Sequence, residues 1–197
     1  MRQITLLLIA LLGLTACAAD PTWAPDELVT EAHVVTSNPP TLTLFTVINV
    51  DSGNGGHAAL LVDANERVLF DPAGSFYHPN LPERNDVFYG MTDTAVNFFI
   101  DYHSRESWRV VRQDLVVSPA VAARALALVQ ANGAVPKAFC ANSISKVLRQ
   151  IPGFEGISST MFPVALMEQF ATKPGVVTSE FHDMDVNNNG QLIARGI

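Results

Sequence analysis

Two cysteines in 197 residues are too few for a disulfide framework, so the core this chain builds must come from apolar packing. Lys and Arg are sparse as well, 12 against 19 Asp and Glu, for a net charge of −7, and they form no cluster. That excludes the electrostatic footprint of a nucleic-acid-binding protein and any basic patch for anionic lipid. No apolar run reaches the ~18–20 residues that span a bilayer. There is no internal repeat and no low-complexity tract, so the chain is neither an array nor a solvated tail. The five histidines fall at no metal-ligand spacing with one another or with a cysteine. Neither a metal nor another cofactor is therefore expected.

What is present is a chain 48% apolar and 16% charged, enough hydrophobic material for one domain. Met1-Arg2-Gln3 precedes an apolar run from Ile4 to Leu14 and then Leu14-Thr15-Ala16-Cys17. A short positive stretch, a brief apolar core and small residues at a cleavage point make residues 1–16 an export signal. The four residues ending at Cys17 resemble a bacterial lipobox. That resemblance implies that Cys17 becomes the acylated first residue of the mature protein, which is held in the cell envelope by its lipid and faces the periplasm or the exterior. Ordinary secretion, with Cys17 discarded or free, is the alternative. Residues 17–40 carry Asp20-Pro21, Ala24-Pro25 and Asn38-Pro39-Pro40 with little periodicity, and read as a tether to a single domain over 41–197.

Within that domain, Thr41 to Val50, Ala58 to Val62 and Arg67 to Phe70 read as neighbouring antiparallel strands, with Asp63-Ala64-Asn65-Glu66 as the turn between the last two. Asp71 to Gly90 holds three prolines and two glycines and reads as a long loop bordering a site. Thr92-Asp93 opens a helix through Ile100, and Trp108 to Val117 alternates as a strand. Ser118-Pro119 starts a second helix, and Asn132-Gly133 ends it. Ile144, Val147, Leu148 and Ile151 recur at helical spacing, giving a helix from Phe139-Cys140 with a buried face, stopped at Ile151-Pro152-Gly153. Thr160 to Phe170 reads as a further helix and Val176 to Phe181 as a returning strand. The expected class is α+β, an antiparallel sheet with helices packed mainly on one face.

Cys140 carries the chemistry. An exported chain seldom keeps an unpaired thiol without a use for it. A helix N-terminus lowers a thiol pKa, because free backbone N–H groups place partial positive charge there, and the same groups can hold an oxyanion. The competing reading is a small buried hydrophobe. A thiol nucleophile needs a base with an orienting partner. His33 falls in the tether, His78 in the proline-rich loop, His103 near a helix end and His182 beside Asp183. His57, by contrast, leaves Ser52-Gly53-Asn54-Gly55-Gly56 to enter the strand Ala58–Val62, where small neighbours leave room for a helix end. A surface turn histidine is the bland reading. Asp71 closes the next strand, so a hairpin sets it beside His57, although an aspartate before Pro72 is also a common turn opener.

Gly56-His57-Ala58-Ala59-Leu60-Leu61-Val62, Val68-Leu69-Phe70-Asp71-Pro72-Ala73-Gly74-Ser75 and Phe139-Cys140-Ala141-Asn142 together resemble the circularly permuted branch of the papain-like NlpC/P60 superfamily, over about Thr41 to Phe170. In that branch the histidine strand precedes the cysteine helix. The resemblance implies a triad acting on amide or ester bonds, with Cys140 as nucleophile, His57 as base and Asp71 in the orienting place, where relatives also carry histidine or another polar residue. The Asn-Cys-Glu-His pattern of the lecithin:retinol acyltransferase subgroup is missing, which weakens a lipid-acyltransferase reading. The expected partner is a peptide or acyl-amide substrate, with peptidoglycan stem peptides suggested by the envelope address. A non-enzymatic binding or scaffold lipoprotein of the same fold, and a lipid acyltransferase or amidase, remain as alternatives. Asp185-Val186-Asn187-Asn188-Asn189-Gly190 resembles half an EF-hand loop, but Gly196 occupies the place of the bidentate glutamate, so the segment reads as a polar turn.

Overall fold

The computed structural model describes residues 19–186. The export signal, Cys17 and most of the EF-hand-like segment lie outside the described residues. Among those described, no helix is long and apolar enough to cross a membrane.

The chain runs α1 (Asp26–Glu31), β1 (Thr41–Asn49), β2 (Gly55–Asp63), β3 (Arg67–Phe70), β4 (Glu83–Arg84), β5 (Val87–Phe88), α2 (Asp93–His103), β6 (Trp108–Val116), α3 (Pro119–Ala131), α4 (Cys140–Leu148), α5 (Pro163–Ala171) and β7 (Val177–Phe181). The seven strands form one sheet in the order β4-β5-β3-β2-β1-β6-β7, every neighbouring pair antiparallel. The expected α+β class is observed. β1 is central and apolar on both faces, so its alternating side chains seed two cores. Leu42 and Leu44 join Leu60, Val62 and Phe70 beneath α3, α4 and α5, whereas Phe45 and Val47 join Leu61 and Leu69 beneath α2. Three of these helices thus cover one face and α2 covers the other.

Local signals set the helix starts. Thr92 accepts from the Ala95 N–H and Ser118 from the Val121 N–H, each a side-chain N-cap. α5 begins at Pro163, later than the expected Thr160, because proline suits the first turn, where its missing N–H loses no bond. β2 starts at Gly55, earlier than expected, and continues across both glycines. The proline-rich loop contains the hairpin β4–β5, too short to show as periodicity, which extends the sheet beyond β3.

The segment read as a tether lies against the domain over its described residues. Ala24 N–H donates to Glu83 O and Asn85 N–H to Thr22 O, both at 2.9 Å, so residues 22–24 run along β4. Arg84 pairs with Asp26, donates to Ala24 O at 2.8 Å and stacks its guanidinium 4.6 Å from the Trp23 ring centre. Farther along, Arg67 N–H donates to Val34 O at 2.9 Å and Thr36 Oγ1 donates to the Asp63 carboxylate.

Candidate active site

The three residues singled out by sequence converge where β3 stops. The β2–β3 ladder ends at Leu60 opposite Phe70, so Asp71 follows opposite Ala59 and projects to the same face as His57. His57 Nε2–H donates to Asp71 Oδ1 at 2.5 Å. Beyond Phe70 the edge of β2 has no β3 partner, and the backbone N–H groups of Ala58 there and of Ala141 favour the charged form of Cys140. Cys140 lies near enough to the same imidazole for each to shift the other's titration.

Cys140 is the first residue of α4 and only 5% exposed. Ala141, Ile144, Val147 and Leu148 pack into the core and fix the helix on the sheet. Its N-cap, Phe139, has no side-chain acceptor, so the first-turn amides remain for the thiolate and for an incoming oxyanion. The glycines act differently from the expected patch. Gly56 makes room for Trp108, whose ring would stand 2.5 Å from an added Cβ, and Gly55 packs against Pro163 and Val164 of α5. Gly74 is required by the acid itself, since a Cβ there would stand 1.7 Å from Asp71 Oδ2.

Electrostatics follow from this geometry. Burial works against a charge on His57, but the carboxylate of Asp71, by charge and hydrogen bond, with a smaller contribution from Cys140, outweighs it and raises the imidazole to about 10. Burial likewise opposes a Cys140 thiolate, yet the His57 hydrogen bond and charge and the two backbone N–H groups bring the thiol below its ordinary value. The arrangement favours a charged imidazole backed by a carboxylate and eases ionisation of the thiol beside it.

Two neighbours carried no sequence expectation of a role. His103, in the last turn of α2, stacks on His57 with centroids 5.8 Å apart and planes at 16°. Its Nδ1–H donates to Phe99 O at 2.9 Å, and burial lowers its pKa to about 4, so it presents a neutral ring. Its position four residues after Phe99 and seven after Val96 was the signal for a buried place. A cavity of about 540 Å³ opens against His57 and His103, with Ser75, Tyr102, Arg105 and Trp108 around it; Cys140 is not among its lining residues. The second neighbour, Asp86, accepts the Val135 N–H at 2.7 Å. The other histidines lie elsewhere: His33 pairs with Glu66, His78 accepts from the Asn80 N–H, and His182 meets Glu106 O. No group of three or more His, Cys, Asp or Glu among the described residues is arranged to hold a metal ion. Comparison with protein-family models, with curated proteins and with solved structures finds no match to this chain.

Proposed function

We propose that the chain is a thiol hydrolase of amide or ester bonds, with the permuted papain-like arrangement that its NlpC/P60 resemblance implies. The observation that carries this reading is the single imidazole held between an acid and a helix-end thiol, Asp71–His57–Cys140. The Cys140 thiolate attacks the substrate carbonyl carbon, forming a C–S bond while first-turn N–H groups of α4 donate to the oxyanion. His57 then donates its Nδ1 proton to the leaving nitrogen or oxygen as that bond breaks, giving a thioester. Water, deprotonated by His57, attacks the thioester, the C–S bond breaks and the thiolate–imidazolium pair is restored. The cavity suits the leaving group, because His57, which must protonate that group, borders it and Cys140 does not. The lipobox resemblance adds an anchor at Cys17 and an envelope address, for which peptidoglycan stem peptides are the first substrates to try.

The test uses a soluble Cys17→Ser form, leaving Cys140 as the sole thiol. Iodoacetamide should label it far faster than the same thiol in denatured chain, and p-nitrophenyl acetate should turn over in wild type but not in Cys140→Ala. Labelling no faster than in the denatured control would overturn the reading. Mass spectrometry of purified peptidoglycan after incubation tests the substrate class.

A further inference from the structure

We infer that Asp86 is a positioning residue of this site, its backbone oxygen holding the loop that carries Asp71 and its carboxylate the loop that leads into Cys140. The inference rests on the reading of Cys140 as a reactive thiol, but needs no particular substrate. Asn85 and Asp86 form the two-residue turn between β4 and β5, and both are left-handed, with φ of 47° and 67°. Such a turn is easiest with glycine at its second position. Here an aspartate takes that place, and it holds two backbone donors. Its backbone oxygen accepts the Asp71 N–H at 2.8 Å, and its Oδ2 accepts the Val135 N–H at 2.7 Å.

Val135 stands five residues before Cys140, and the other donor is Asp71 itself. Asp86 therefore touches both chain segments whose relative position decides whether acid, base and thiol meet. Backbone strain has the same distribution. The four non-glycine residues with positive φ among those described are Ala73, Asn85, Asp86 and Ala138, one or more in each of the three loops. Left-handed alanines are costly and persist only where surrounding bonds over-determine them.

The charged groups facing Asp86 are Glu83 of β4, Asp71 after β3, His57 on β2, and Asp20 and Lys137, which border the same small cavity. Burial, aided by Asp71, raises Asp86 to about 6, against the pull of its two N–H bonds and of His57. By reciprocity the ionised Asp86 favours the His57 imidazolium, and hence the thiolate. Ionisation thus helps the site while it costs stability. The protonated form's contribution to folding is complete below the ordinary carboxylate pKa and is lost as pH rises through about 6.

Alkylation of Cys140 by iodoacetamide, followed from pH 4.5 to 9 in the Cys17→Ser protein, tests this. Wild type should show an inflection near pH 6. Asp86→Asn should lose it and alkylate roughly tenfold more slowly at neutral pH, the effect of about one unit in thiol pKa, and Asp86→Glu should restore the inflection in part. A changed melting temperature with an unchanged pH profile would mean a merely structural role and overturn the proposal. Should Asp86→Asn not fold, the amide resonance of Val135 in wild type decides instead: it should titrate with a midpoint near 6, and the absence of that titration overturns the proposal. A Cys140 that alkylates rapidly with this profile, yet never turns over p-nitrophenyl acetate, would defeat the hydrolase reading and leave the role of Asp86 standing. Slow alkylation at every pH in wild type would defeat both.

Discussion

At the scale of single residues, the paired shifts of His57 and Cys140 oppose one another in their effect on folding. The raised His57 contributes stability that is complete below about 6.5 and is lost as pH rises through about 10. The lowered Cys140 contributes stability that is present above the ordinary thiol value and is lost as pH falls through its lowered one. Across neutral to mildly alkaline pH the two offset. Cys140→Ala should therefore lose stability relative to wild type as pH rises from 6.5 to 9, measured by urea unfolding at each pH; parallel curves would show that no proton has moved from thiol to imidazole. Gly74→Ala tests the acid. A Cβ 1.7 Å from Asp71 Oδ2 must displace that carboxylate, so the His57 pKa read by NMR should fall well below about 10 and thiol reactivity at neutral pH should fall with it. Cys140, His57 and Asp71 were legible because their flanks are local signals: a helix start, a glycine turn entering a strand, and the end of the paired strand. Asp86 was not, because its role depends on a turn of two left-handed residues and on donors far away in sequence. His103 was legible only as lying near a helix end, because its stacking on His57 depends on how α2 packs across the sheet.

At the scale of elements, α4 turns apolar packing into chemistry. Ile144 is fully buried one turn after Cys140, and its packing sets where the helix end stands against β2. Ile144→Ala should cost about 2–5 kcal/mol in urea unfolding, the range for large-to-small core changes, and slow Cys140 alkylation at neutral pH under conditions where the variant stays folded. Stability lost with alkylation unchanged would show that the thiol's environment does not depend on the seat of the helix. Periodicity and caps revealed β1, β3, α2, α3, α4 and β6 nearly to their ends. They missed β4 and β5, because two residues carry no period, and the chosen start of α5 overlooked how well a proline serves the first turn. The reason for the glycines near His57 was also misjudged. Sequence marks a close approach without saying which element approaches, and here Trp108 and α5 fill the places expected for the cysteine helix.

At the scale of the whole molecule, the main difference from expectation is the N-terminal segment. Its prolines and lack of pattern suggested a free spacer, because sequence patterns report periodic burial and this segment is held instead by backbone bonds to β4 and by Arg84. Cys17→Ser should abolish lipid labelling in a bacterial host and move the protein from the membrane to the soluble fraction; continued labelling would sink the lipobox reading. Docking of residues 22–24 on β4 then acquires a geometric consequence. A free spacer from residue 17 to 41 could reach roughly 80 Å when fully extended, whereas the five-residue step from Cys17 to Thr22 reaches at most about 18 Å. With a lipid at Cys17, the domain would be moored on a short line rather than a long one, sweeping a thin layer next to the bilayer. Anything farther from the membrane would lie beyond its range unless the N-terminal segment first peeled away from the sheet.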